Sequence, residues 1–123
     1  MKLSKMKKIL VVDDDPTIRD ILKRFLQLSG FEVDCAGDGL DGLEKVESFR
    51  PDSILLDIEM PNMNGHAFCS TLKKDPETRH IIVLFLTGQG KMGPIEDALS
   101  EGADGYLTKP IDFNRLKLKL ESF

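Results

Sequence analysis

Cysteine is scarce in this chain: Cys35 and Cys69 are the only two in 123 residues. Two are too few for a disulfide scaffold. Both lie in apolar stretches, where cysteine behaves as a small hydrophobe, so buried reduced thiols and a reducing compartment are expected. Long apolar runs are missing too. The basic start, Met1-Lys-Leu-Ser-Lys-Met-Lys-Lys8, leads into four apolar residues, Ile9 to Val12, and then three aspartates. A signal peptide needs a longer apolar stretch, and a membrane span needs about 20 residues. The reading is a cytoplasmic protein without membrane contact. Positive charge is not in excess: 21 acidic against 17 basic residues give a net charge of −4. That argues against a nucleic-acid surface. No Gly/Ser linker, internal repeat or low-complexity tract occurs, so residues 1–123 read as one domain, with 1–6 a flexible basic tail. The apolar share of 41% and charged share of 31% exclude a disordered chain. A chain of this size buries about two-thirds of its unfolded surface, enough for a core without staples.

What the sequence does have is alternation. Short apolar runs at Ile9–Val12, Phe31–Ala36, Ser53–Ile58, Ile81–Thr87 and Gly105–Thr108 have the length and β-branched content of buried strands. Between them, apolar residues recur at helical spacing. Ile18, Ile21, Leu22, Phe25 and Leu26 share one face, as do Leu40, Leu43 and Val46. Phe68 with Leu72, then Ile95 with Ala98 and Leu99, and finally Phe113, Leu116 and Leu120 form three more. Asp15-Pro16 is a cap followed by proline at the first helical position. Gly30 and Gly102 stand where helices stop. Leu116-Lys-Leu-Lys-Leu120 also alternates with period two, but Asp112 can cap a helix there, and helix is the reading taken. Repeated strand–helix units imply a parallel sheet covered by helices on both faces.

In such a sheet, functional groups gather at the carboxyl ends of the strands. The first strand runs into Asp13-Asp14-Asp15 and the third ends at Asp57. The fourth ends at Thr87-Gly88 and the fifth at Thr108-Lys109-Pro110. Crowded carboxylates repel and resist ionisation unless a cation compensates. A hard divalent ion with oxygen ligands, most simply Mg²⁺, is the natural one. Carboxylates for the metal, an ammonium and a hydroxyl for a transferred anion make up a kit for phosphoryl chemistry. Asp57 stands alone at the end of an apolar strand and is the candidate nucleophile.

Four motifs carry a family resemblance: Ile9-Leu-Val-Val-Asp-Asp-Asp15; Ile54-Leu-Leu-Asp-Ile-Glu-Met-Pro61 with Asn64-Gly65; Leu86-Thr87; and Gly102-Ala-Asp-Gly-Tyr-Leu-Thr-Lys-Pro110. In this order, over essentially the whole chain, they resemble the CheY-like receiver domains of two-component response regulators. The resemblance implies a flavodoxin-like doubly wound α/β fold, with five parallel strands in order 2-1-3-4-5 and five helices. It implies phosphorylation of Asp57 to a 4-aspartylphosphate. Mg²⁺ would be held by Asp13, Asp14, Asp57 and the backbone carbonyl of Glu59. Lys109 would pair with the phosphoryl group, and Thr87 would bond one of its oxygens. Thr87 and Tyr106 would act as the switch, Tyr106 turning inward in the active state. Lys109-Pro110 would be cis. The partners implied are a sensor histidine kinase or histidine phosphotransfer protein and a downstream protein target. Homodimerisation on activation would use the fourth helix, fifth strand and fifth helix. Such a domain is a signalling switch, not an enzyme, and catalyses only its own phosphorylation and dephosphorylation.

Some features have plainer readings. Asp15 is a third acid where two suffice, and helix capping accounts for it. Glu59 sets a carboxylate near the phosphoryl site, where with Gln89 it is expected to tune the phosphate's lifetime. Gly88 is small and leaves access for a donor. Gly88-Gln-Gly-Lys-Met-Gly93 imitates a dinucleotide fingerprint, but no acid closes the next strand, so a loop is the better reading. The stretch to Pro94 is expected to leave the fourth helix short or mobile. His66 and His80 read as solvated surface residues, without a second ligand at metal spacing. Two other functions compete with the switch. One is a small aspartate-nucleophile phosphohydrolase, for which Asp57-Ile-Glu59 is a poor motif and no length remains for a cap domain. The other is a pseudo-receiver that binds a partner without phosphorylation.

Overall fold

The fully apolar runs become strands, and the capped periodic segments between them become helices. The computed structural model describes residues 6–60, 64–88 and 102–123. In chain order the elements are β1 (Lys8–Val12), α1 (Pro16–Leu28), β2 (Glu32–Ala36), α2 (Gly39–Phe49), β3 (Ser53–Asp57), α3 (Gly65–Lys74), β4 (Ile82–Thr87), β5 (Gly105–Thr108) and α4 (Phe113–Glu121). The five strands form one sheet in the order β2-β1-β3-β4-β5, and every pairing is parallel. This is the expected strand order. Four helices are described. The helix predicted around Ile95–Leu99 lies outside the described residues, as do Gln89, Pro61 and Met63. The tail predicted at 1–6 lies outside them except for Met6, which is exposed.

Each helix starts on a side chain that accepts an otherwise orphaned amide. Asp15 accepts from Thr17 N at 2.9 Å, Asp38 from Asp41 N at 2.7 Å, Asn64 from Ala67 N at 3.1 Å and Asp112 from Arg115 N at 3.1 Å. Such caps contribute about 1 kcal/mol each. Asp112 decides the ambiguous C-terminal segment: Leu116 and Leu120 are buried on a helix. Gly30 terminates α1 with φ of 98°, a conformation glycine adopts without strain.

Alternate residues of the central strands feed two cores. Leu10, Val12, Ile54, Leu56, Val83 and Phe85 pack under α2 and α3. Ile9, Val11, Leu55, Leu84 and Leu86 pack under α1 and α4. Cys69 is fully buried and Cys35 half-buried, both as thiols. Three expectations need correction. Leu40, placed on the buried face of α2, is 72% exposed, and Ile21 of α1 is 48% exposed. Both lie at the margins of stripes wider than the sheet surface beneath them. His66 is half-buried rather than solvated. It sits in the first turn of α3, and its ring centroid lies 5.9 Å from that of Phe85 on β4.

Candidate functional site

In the order β2-β1-β3-β4-β5 the connection from β1 runs to one side and that from β3 to the other, which opens a crevice at the carboxyl ends of β1 and β3. Asp13 follows β1 and Asp57 ends β3. Both are buried, at 0% and 3% exposure, because the strands carrying them run through the core. Asp14 is exposed at the rim. Ligand oxygens of Asp13, Asp14 and Asp57 lie within 4.8 Å of one another. Oxygens around a Mg²⁺ ion with bonds of about 2.1 Å stand roughly 3–4 Å apart, so a small contraction lets these three share one.

Lys109 closes the crevice from the end of β5. Its Nζ is 3.0 Å from Asp57 Oδ2 and 3.6 Å from Asp13 Oδ2. The Lys109-Pro110 peptide is cis. Backbone amides hold the opposite carboxylate oxygens. Asp15 N donates to Asp13 Oδ1 at 2.9 Å, and Glu59 N donates to Asp57 Oδ1 at 2.9 Å. Asp13 Oδ2 is buried and accepts no hydrogen bond among the described residues. An acceptor left in that state fits a cation site.

The charges are unequally satisfied. Burial, foremost, pushes the Asp13 carboxyl above its ordinary value of 3.8; the Asp15 amide opposes this, and the Asp57 charge adds to the rise. Burial alone would lower the Lys109 ammonium. The hydrogen bond and charge of Asp57, followed by the charge of Asp13, outweigh that and carry it above 10.5. One ammonium thus serves two buried carboxylates, and Asp57 takes the closer contact.

Thr87 ends β4 beside Lys109, whose backbone N donates to Thr87 O at 2.7 Å. The Thr87 hydroxyl is fully buried and has no hydrogen-bond partner among the described residues. Glu59 follows Asp57 by two residues, with its side chain turned toward β4. A β-carbon at Gly88 would lie 3.1 Å from both Glu59 carboxylate oxygens. Tyr106 on β5 faces outward, 37% exposed, and lines a groove with Pro110, Asp112, Arg115 and Lys119. Asp15 points into the α1 cap. The sequence-predicted residues Asp13, Asp14, Asp57, Thr87 and Lys109 therefore meet at one sheet edge. Glu59 stands at its mouth and Tyr106 stands away from it.

One neighbour was not read from the sequence. Arg19 of α1 donates from Nη1 to the backbone carbonyl of Asp13 at 2.8 Å. Gly37 gives it room, since a β-carbon there would lie 3.1 Å from Nη1. An arginine one turn into a capped helix carries no signal that its target is a carbonyl six residues back.

Comparison with known proteins agrees with this geometry. Residues 9–121 match the response regulator receiver domain family. The chain is 36% identical over 117 residues to the DNA-binding dual master transcriptional regulator RpaA of a Synechocystis strain, covering 95% of this chain and 48% of that protein. It is 36% identical over 115 residues to response regulator MprA of Mycobacterium tuberculosis, covering 94% of this chain and 49% of that one. The chain thus spans about half the length of these relatives. Among solved structures, a putative response regulator from Chloroflexus aurantiacus superposes with a TM-score of 0.90 at 30% identity, covering 96% of this chain and 97% of the other. Chemotaxis protein CheY4 of Vibrio cholerae gives 0.89 at 32% identity, covering 96% and 98%. The chain belongs to the response regulator receiver domain family. It is a switch domain of two-component signalling rather than a conventional enzyme.

Proposed function

We propose that Asp57 accepts a phosphoryl group from a phosphohistidine on a sensor histidine kinase or histidine phosphotransfer protein. The observation that carries this is the crevice itself. A buried Asp57 is flanked by Asp13 and Asp14, faced by Lys109 and overlooked by a Thr87 hydroxyl without a partner among the described residues. A carboxylate oxygen of Asp57 attacks phosphorus. A new O–P bond forms, the P–N bond to the donor imidazole breaks, and its electron pair stays on the imidazole nitrogen. Lys109 neutralises a phosphoryl oxygen, and Thr87 donates a hydrogen bond to another. Asp13, Asp14, Asp57 and the backbone carbonyl of Glu59 would hold Mg²⁺. When bound, that ion offsets the charge spread over the transferred oxygens.

On phosphorylation the buried Thr87 hydroxyl gains a phosphoryl oxygen as acceptor. Its movement opens space for Tyr106 to turn inward, which biases a two-state equilibrium of the outer face. That face then engages a downstream protein or a second copy of the domain. Hydrolysis of the acyl phosphate resets the switch, at a rate that Glu59 and Gln89 adjust. Membrane contact is not part of the reading: among the described residues no helix is long and apolar enough to cross a membrane. Nor does this domain itself bind nucleic acid, in keeping with its net charge of −4. Its place of action is the cytoplasm.

Intact mass after incubation with Mg²⁺ and acetyl phosphate tests the proposal. A single phosphoryl adduct is expected, labile to hydroxylamine, and absent without metal and in Asp57→Asn. If neither acetyl phosphate nor a phosphohistidine donor labels the wild type, the domain is instead a phosphorylation-independent binding module. Steady release of phosphate without adduct would indicate a phosphohydrolase.

A further inference from the structure

The geometry points to Arg19 as a positioning residue for the carboxylate cluster, acting through the backbone of Asp13 and seated against Gly37. This rests on the reading of Asp13, Asp14 and Asp57 as a metal and phosphoryl site. The peptide between Asp13 and Asp14 carries two of the three clustered carboxylates, so its orientation sets where both point. Both backbone groups of Asp13 are held outside the crevice, one in the peptide before its α-carbon and one in the peptide after it. The Asp13 amide donates to Ala36 O at the end of β2, at 3.1 Å. The Asp13 carbonyl accepts from Arg19 Nη1 at 2.8 Å. A charged guanidinium on a carbonyl makes a stronger bond than a neutral donor does. The Ala36 bond fixes the peptide entering Asp13 and the Arg19 bond the peptide leaving it, so the Asp13–Asp14 peptide cannot rotate without losing its guanidinium partner. That immobility lets Asp13 Oδ1 stay on the Asp15 amide at 2.9 Å while Oδ2 faces the crevice near Lys109.

The seat at Gly37 supports this assignment independently. Its missing side chain leaves the space that the guanidinium occupies, with Nη1 3.1 Å and Cζ 3.7 Å from the point where a β-carbon would stand. Arg19 is also half-buried, unlike an arginine serving only solubility. The guanidinium is thus held by the carbonyl it grips, beside space that Gly37 leaves open. It touches no reacting atom. It sets the frame on which the reacting carboxylates are mounted, and outer-sphere contacts of this sort commonly change metal affinity 10- to 100-fold.

The test uses the full chain and four variants: Arg19→Met, Arg19→Lys, Gly37→Ala, and the double variant Arg19→Met with Gly37→Ala. Mg²⁺ affinity is measured by calorimetric titration, and the Asp15 amide proton by NMR without metal. Arg19→Met should weaken Mg²⁺ binding about tenfold and move the Asp15 amide resonance upfield as its bond to Asp13 loosens. Arg19→Lys, which keeps a cationic donor, should recover part of both. Gly37→Ala should weaken binding less than Arg19→Met, and should add nothing once Arg19 is gone, because it acts by displacing that side chain. A folded Arg19→Met protein with affinity within about twofold of wild type and an unmoved Asp15 resonance overturns the assignment. So does a Gly37→Ala effect that persists undiminished in the double variant. If wild type itself binds no Mg²⁺, the metal-site reading fails, and the metal-free Asp15 resonance still decides the role of Arg19.

Discussion

Replacing a carboxylate of the crevice should make the metal-free fold more stable. Asp13→Asn is the informative change. Asp13 is fully buried, and an asparagine oxygen can still accept the Asp15 amide. Two unit charges 4.8 Å apart, the outer limit for Asp13 and Asp57, repel by about 3.5 kcal/mol at an effective dielectric of 20. Lys109, 3.6 Å from Asp13, attracts it by about 4.6 kcal/mol on the same basis. The attraction leads by about 1.1 kcal/mol only at that outer limit; at closer approach the balance turns, the Asp57 charge outweighing that of Lys109 at Asp13, and Lys109 keeps its closer partner Asp57 in the variant. What remains is the burial of a charge, opposed by one amide bond, and this balance raises the Asp13 carboxyl above 3.8. The expected gain is about 1 kcal/mol at neutral pH, or about 4 °C in Tm. A raised carboxyl means the folded state holds its proton longer than the unfolded chain does. Wild-type stability therefore falls as pH rises from about 3.8 through the folded-state value. The variant's advantage should be full above that window and vanish below it. Thermal melts followed by circular dichroism in EDTA, from pH 3.5 to 8, read this directly. Mg²⁺ should reverse the order, because ten times Kd stabilises the wild type by about 1.4 kcal/mol. If Asp13→Asn is less stable than wild type at pH 7 in EDTA, the charge accounting is wrong.

Other substitutions separate stability from switching. Thr87→Val exchanges a buried hydroxyl, without a partner among the described residues, for a methyl of the same shape. Denaturant titration should show the fold unchanged or stabilised by about 1 kcal/mol, whereas NMR should no longer show the phosphorylated form propagating a change to Tyr106. Lys109→Gln leaves Asp13 and Asp57 without their 3.6 and 3.0 Å partner and should cost about 2 kcal/mol near neutral pH. Because the ammonium's value is raised above 10.5, its contribution persists up to that pH and is lost only beyond it. Urea titrations should therefore give a constant deficit from pH 6 to 9, shrinking in acid as the carboxylates protonate.

The strands were legible because their middles are apolar on both faces. Ser53–Asp57 and Ile82–Thr87 differ from the expected limits by one residue each. The site's membership was legible for a related reason: in a parallel sheet the residue ending each strand goes to a common edge, so Asp13, Asp57, Thr87 and Lys109 are brought together by topology alone. Contacts across the fold left no local mark. His66 looked solvated because Phe85 is 19 residues away in the chain. Leu40 looked buried because periodicity identifies a face without saying whether anything covers it. Arg19 was overlooked because its target is a backbone carbonyl, which any residue supplies.

The short bond from the Lys109 amide to the Thr87 carbonyl joins two residues of neighbouring strands into a single jaw. If Thr87 and Lys109 both contact the phosphoryl group, as proposed, a force on the Thr87 hydroxyl would be felt at the root of that lysine and at the strand carrying Tyr106. Such a switch would read its ligand as one mechanical event instead of two separate contacts. The intensity of its response would then be set by the stiffness of that seam as much as by the affinity of either side chain.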